Sequence, residues 1–98
     1  MNQFALLALL RAKPGKEQAV EEFLVSARPL VLAEVGTTSW YAVRFDDRRY
    51  GIFDTFVDED GRNAHLNGQV AALLFAREEE LFAGPPAVEM LEILASKS

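Results

Sequence analysis

The chain has 98 residues, 50% of them apolar, with no Cys, a single His and a formal charge of −5 at a pI near 4.8. That describes one domain over residues 1–98; without Cys there are no disulfides, thiolate zinc sites or Cys nucleophiles, and one His gives no reason to expect a protein-built transition-metal site. The acidic balance argues against a nucleic-acid partner, and no apolar run nears the ~20 residues of a membrane span or carries a signal-peptide pattern, so a cytoplasmic protein with no membrane contact is expected.

Phe4–Arg11 is an apolar run of strand length ended by Lys13-Pro14-Gly15, where Pro disfavours helix for Lys13 and Gly permits a turn. From Lys16 to about Val35 the apolar residues Ala19, Val20, Phe23, Leu24, Ala27, Leu30 and Val31 follow helical spacing, with Glu17, Glu21 and Glu22 on the other face. Pro29 lies inside this helix and is expected to kink it or split off its last turn, because its ring crowds the carbonyl of Val25.

Two aromatic and β-branched runs, Thr38–Phe45 and Arg49–Val57, flank the polar tetrad Asp46-Asp47-Arg48-Arg49 and read as a tight hairpin. Placing Phe45 opposite Tyr50 pairs Val43 with Ile52, Tyr41 with Asp54 and Ser39 with Phe56 on one side. The other side then carries Trp40/Thr55, Ala42/Phe53 and Arg44/Gly51. Both faces are largely apolar, so each needs a cover.

Between Asp58 and Phe82 lie helices. Asp58 is a plausible N-cap, Glu59 and Asp60 suit the first turn, Gly61 weakens the helix by roughly 1 kcal/mol relative to Ala, and Asn67-Gly68 ends it. Gln69–Phe82 reads as a longer second helix. After Gly84-Pro85-Pro86, Ala87–Ala95 closes the chain as a strand with apolar residues on both faces. The order β-α-β-β-α-(α)-β is the α+β ferredoxin-like arrangement: a four-stranded antiparallel sheet with helices on one face. The bare second face is most simply covered by another copy, which predicts a homodimer.

Pro14-Gly15-Lys16, Glu34-x-Gly36, the Tyr41 strand, Asp54-x-Phe56, Ala64-His65-Leu66 and Gly84-Pro85-Pro86, taken in order, resemble the antibiotic biosynthesis monooxygenase family. The resemblance covers about Phe4 to Ala95 and implies a dimeric α/β-barrel. For activity it implies a cofactor-independent monooxygenase acting on a small aromatic quinol or anthrone. The alternative is a barrel of the same kind that binds a small ligand, or serves in stress, without catalysis. The family's usual Glu-x-Trp is here Asp54-x-Phe56. Its haem-degrading members carry an Asn in the first strand and a His on the last long helix, where this chain has Ala8 and Leu73-Leu74-Phe75, so the resemblance does not extend to haem degradation.

His65, the one side chain that ordinarily titrates near neutrality, is the natural candidate base, or else a structural His bonded to a backbone carbonyl. Tyr41 and Asp54 are its candidate catalytic partners by the register above, or else a self-satisfied structural pair. The resemblance and the aromatic content make Trp40, Phe53, Phe56 and Arg44 candidates for substrate contact. Packing is the competing explanation for Trp40, and a solvated cation at the hairpin tip is the competing explanation for Arg44.

Overall fold

The computed structural model describes residues 3–97 and has the element order β1 (Phe4–Arg11), α1 (Glu17–Leu32), β2 (Thr37–Arg44), β3 (Arg49–Phe56), α2 (Glu59–Leu66), α3 (Gln69–Ala76), α4 (Glu78–Leu81) and β4 (Ala87–Glu92). The strands form one four-stranded antiparallel sheet in the order β2-β3-β1-β4, the expected ferredoxin-like topology. The helices pack on one face of it. Facing rows of β1 and β3 (Leu6, Ala8, Leu10; Tyr50, Ile52) meet Val20, Phe23 and Leu24 of α1, Leu74 of α3 and Leu81 of α4 to form the core.

Several boundaries differ from expectation. The first helix ends at Leu32 rather than Val35, because Ala33 and Glu34 donate their N–H groups three residues back, to Leu30 and Val31, and so close the last turn. Helix α1 runs unbroken through Pro29; Val25, whose carbonyl loses its partner there, lies at the exposed surface. The segment Gln69–Phe82 is two helices divided at Arg77, whose guanidinium turns back to Glu80. Strand β4 stops at Glu92, after Leu91 and before the exposed Leu94.

The hairpin register is one residue away from expectation. Asp46 accepts hydrogen bonds from the N–H groups of both Arg48 and Arg49, and Phe45 N–H donates to the Arg49 carbonyl at 2.8 Å, so the hairpin closes on residues 46–48 and Phe45 stands opposite Arg49 instead of Tyr50. The Phe45 ring lies over Gly51, where a Cβ would stand 3.0 Å from it. Arg44 therefore pairs with Tyr50, Ala42 with Ile52, Tyr41 with Phe53 and Trp40 with Asp54. A one-residue slip exchanges the faces of a strand. Trp40 now points toward the helices, against the cluster of Ala27, Val31 and Val70, while Tyr41 and Phe53 point away from them. The expected Tyr41–Asp54 pair does not exist.

The outward face carries Leu7, Leu9, Tyr41, Val43, Phe53 and Leu91, with Leu9, Tyr41 and Val43 at 40%, 59% and 43% exposure. Among the described residues no element covers it.

Candidate functional site

Two glycines bring the site together. A Cβ on Gly36 would stand 2.7 Å from the Cα of Gly61, and one on Gly61 would stand 2.9 Å from the carbonyl oxygen of Gly36, so the start of α2 lies directly on the backbone leading into β2. Val57 N–H donates to the Gly36 carbonyl at 3.0 Å, and the Asp58 carboxylate caps α2 by accepting from Gly61 N–H at 2.7 Å. The cap confirms the expected start of the helix. The close backbone approach explains a Gly that weakens it. One turn further on, the same seating delivers His65 into the gap between the end of α1 and the middle of β3.

There His65 lies between two carboxylates. Its Nδ1 is 2.7 Å from Glu34 Oε1 and its Nε2 is 3.0 Å from Asp54 Oδ2. Thr37 donates its hydroxyl to the same Glu34 oxygen at 2.7 Å, which fixes that side chain. The imidazole is tilted against the Phe56 ring, centroids 5.4 Å apart. Burial works against a charge on His65, but hydrogen bonds and charges from Asp54 and then Glu34 outweigh it and raise its pKa above the ordinary histidine value. With a carboxylate oxygen at each nitrogen, the protonated ring donates on both sides. It has no free nitrogen with which to accept a substrate proton.

Asp54 is only 1% exposed. Its Oδ2 is paired with His65 Nε2, and its Oδ1 is buried with no partner. Trp40 Nε1, on the residue directly across the sheet, is likewise buried without a partner. Buried polar atoms are nearly always satisfied, so the open Oδ1 here points to a ligand.

Asp54 and His65 form the polar end of a cavity of about 40 Å³ walled by Leu6, Ala8, Ile52, Val70, Ala71 and Leu74. Its mouth is at Leu66, Phe75 and Val88. Val88 and Met90 of β4 face the helix side of the sheet opposite Ala8 and Leu6, yet stay exposed, because no helix packs over β4. On the far side of the imidazole, Glu34 and His65 border an open groove of about 430 Å³ that also includes Leu30, Thr37 and Gly68. His65 thus separates an inner, apolar space from solvent.

Of the residues singled out in the sequence, the structure brings together His65, Asp54 and Phe56, with Trp40 facing the same side. Tyr41 and Phe53 lie on the outer face. Arg44 pairs with Glu21 at 3.1 Å near the surface, 63% exposed, and is not among the residues that line the cavity at Asp54. Glu34 was not among the candidates, although it stands in the Glu34-x-Gly36 motif. The two carboxylates hold opposite sides of one ring, and among the described residues no three His, Cys, Asp or Glu side chains converge to hold a metal ion. Nor is any helix among them long and apolar enough to cross a membrane.

No protein-family model and no curated protein matches the chain. Among solved structures, a protein of unknown function from Nitrosomonas europaea is 51% identical, with a TM-score of 0.97 over 100% of this chain and 95% of that one. The chain belongs to that protein's family. Likeness of fold extends further: a candidate antibiotic biosynthesis monooxygenase from the same organism has a TM-score of 0.83 at 14% identity, over 94% of this chain and 99% of that one. A second protein so described, from Caulobacter crescentus, has a TM-score of 0.81 at 18% identity, over 96% and 92% of the two chains. At such identities the shared property is the fold, and members of this family have it in common with those proteins.

Proposed function

We propose that the protein is a cofactor-independent monooxygenase of a small aromatic quinol or anthrone, with Asp54 as its base and His65 and Glu34 behind it. The observation that carries this reading is the buried Asp54 carboxylate, whose Oδ1 has no partner and which stands at the end of an apolar cavity. His65 is reassigned from base to support, since both its nitrogens are engaged. The substrate ring would rest at the mouth, on Phe75 and Val88 and beside Met90, with its acidic hydrogen toward Asp54.

In this chemistry Asp54 removes a proton from the anthrone methylene and leaves a carbanion. The carbanion gives one electron to O₂; the radical pair joins to a peroxide anion, which takes the proton back from Asp54. Loss of water from the hydroperoxide, with departure of the second methylene hydrogen, yields the ketone. One O₂ is consumed, one oxygen enters the product and the other leaves as water. The imidazolium beside Asp54 balances its charge through the proton's departure and return.

Oxygen uptake with a panel of quinols and anthrones tests the reading. The wild type is expected to consume O₂ with at least one of them, and Asp54→Asn to be slower by about 10²–10⁴-fold, the usual contribution of a general base. Equal rates in the two proteins would sink it. The second reading, a barrel that binds a small ligand without catalysis, is favoured by the size of the cavity, which is too small for an aromatic ring. Retention of a ligand in native mass spectrometry with no O₂ uptake from the panel is the result it expects.

The same proposal includes a homodimer formed through the outward sheet face, where Leu9, Tyr41 and Val43 would otherwise leave an apolar patch in water. Sedimentation at micromolar concentration is expected to give about twice the chain mass of 10.9 kDa. A species of single-chain mass would remove the dimer.

A further inference from the structure

We infer that the inner cavity is a subsite for one hydroxyl group of a neutral ligand, which donates to Asp54 Oδ1 while the ring that carries it stays at the mouth. The inference rests on the reading above for the seat of the ring, and it narrows the ligand class to phenols and quinols, with anthrones set aside. Size gives the first limit. One water needs about 10–15 Å³ of such space and a cavity known to take benzene has ~150 Å³, so about 40 Å³ admits a substituent and keeps the ring out. The mouth is open to a ligand, since Phe75 and Val88 there are 51% and 38% exposed.

The open atom decides the chemistry. Asp54 is 1% exposed, its Oδ2 is paired with His65 Nε2 at 3.0 Å, and its Oδ1 has no partner. A carboxylate oxygen only accepts, and one left buried and unmet is costly, so the group it takes must bring a proton. A ketone, quinone or ether brings none, a carboxylate would set like charges together, and the methylene of an anthrone offers only a C–H, a weak donor. A cation has the opposite fault. The protonated ring of His65 already balances the Asp54 charge, and an ammonium would turn its spare donors against the apolar walls of Leu6, Ala8, Ile52, Val70, Ala71 and Leu74. Water likewise has one proton too many. A hydroxyl brings one donor to one acceptor, and the proton that Asp54 would remove is then the one this bond already holds.

Binding of 4-methylphenol, 4-methylanisole, acetophenone, benzylamine and benzoate to the wild-type protein at neutral pH is the test. It is read by methyl NMR of Ile52, Val70 and Leu74 and by the emission of Trp40, which packs against the cluster that contains Val70. The phenol is expected to bind at least about tenfold more tightly than each of the others, the usual return of a hydrogen bond to a charged group. Ala71→Leu, which fills the cavity from α3, is expected to lose that preference, and Asp54→Asn, whose amide can donate, to move it toward acetophenone. Should either variant fail to fold, the wild-type series still decides. Equal binding of the phenol and its methyl ether overturns the inference, as does tighter binding of benzylamine or no binding of the phenol at millimolar concentration. A preference for the phenol in a protein that consumes no O₂ with any quinol or anthrone would support the hydroxyl site while removing the oxygenase reading. Oxidation of an anthrone but of no quinol would do the reverse, so the two fail separately.

Discussion

Replacing His65 with alanine is expected to destabilise the protein by about 3–5 kcal/mol at neutral pH, the usual cost of removing one member of a buried charged group. Asp54, its Oδ1 already unpartnered, would lose the counter-charge that His65 supplies, and Glu34 would keep Thr37. Urea denaturation at pH 7 measures the loss. Adding Asp54→Asn to His65→Ala should restore part of it, because the amide carries no charge to leave uncompensated.

The same residue sets a pH dependence whose sign follows from the raised pKa. A folded-state value above the unfolded one means that the unfolded chain releases the His65 proton first as pH rises. The stabilisation is thus complete below about 6.5, the ordinary histidine value, and is lost as pH climbs through the folded value. The wild-type Tm should fall on the alkaline side of neutrality while that of His65→Ala stays flat over the same range. A wild-type Tm that instead rises toward about pH 6.5 and then levels off would mean the imidazole is buried neutral.

Gly61→Ala is the second large effect, and two principles disagree about its direction. Helix propensity favours Ala over Gly by about 1 kcal/mol in a helix interior, which predicts stabilisation. The added Cβ, however, would stand 2.9 Å from the Gly36 carbonyl oxygen, 3.2 Å from its Cα and 3.4 Å from the capping Asp58 oxygen. The first two are backbone atoms in the turn into β2 and cannot swing aside. Overpacking of this kind costs about 1–3 kcal/mol or more, so a net loss of about 1–3 kcal/mol is expected from urea denaturation. His65 should shift with it, since displacing α2 lengthens both its carboxylate contacts; its ring resonances in NMR report that movement. A more stable Gly61→Ala protein would show that α2 is free to slide.

The sheet, its order and the helical cover were legible because apolar periodicity changes at Lys16 and Asp58 and because Pro and Gly mark the turns. The hairpin register was not. It depended on one side chain, Asp46, accepting two N–H groups and closing the hairpin on residues 46–48, with Phe45 opposite Arg49. That slip is enough to put Tyr41 on the wrong face and Trp40 on the right one. Asp54 was visible as an acid in an apolar strand with no basic neighbour in either flanking strand, but its actual partner comes from a helix that follows. Glu34 was hidden for a different reason: an acid just past a helix end ordinarily faces water, and only the close approach of Gly36 and Gly61, a tertiary contact, turns it toward a histidine far along the chain.

Trp40 is the only tryptophan in the chain, and it stands across the sheet from Asp54 with its indole N–H buried and unpartnered. The protein therefore carries an intrinsic optical reporter at the residue pair where its chemistry is proposed. Indole emission responds to nearby charge and to solvent access, so protonation of the neighbouring carboxylate, displacement of α2 or occupation of the cavity can each be followed as a change in fluorescence without a label. With no other indole in the chain, such a signal has a single origin.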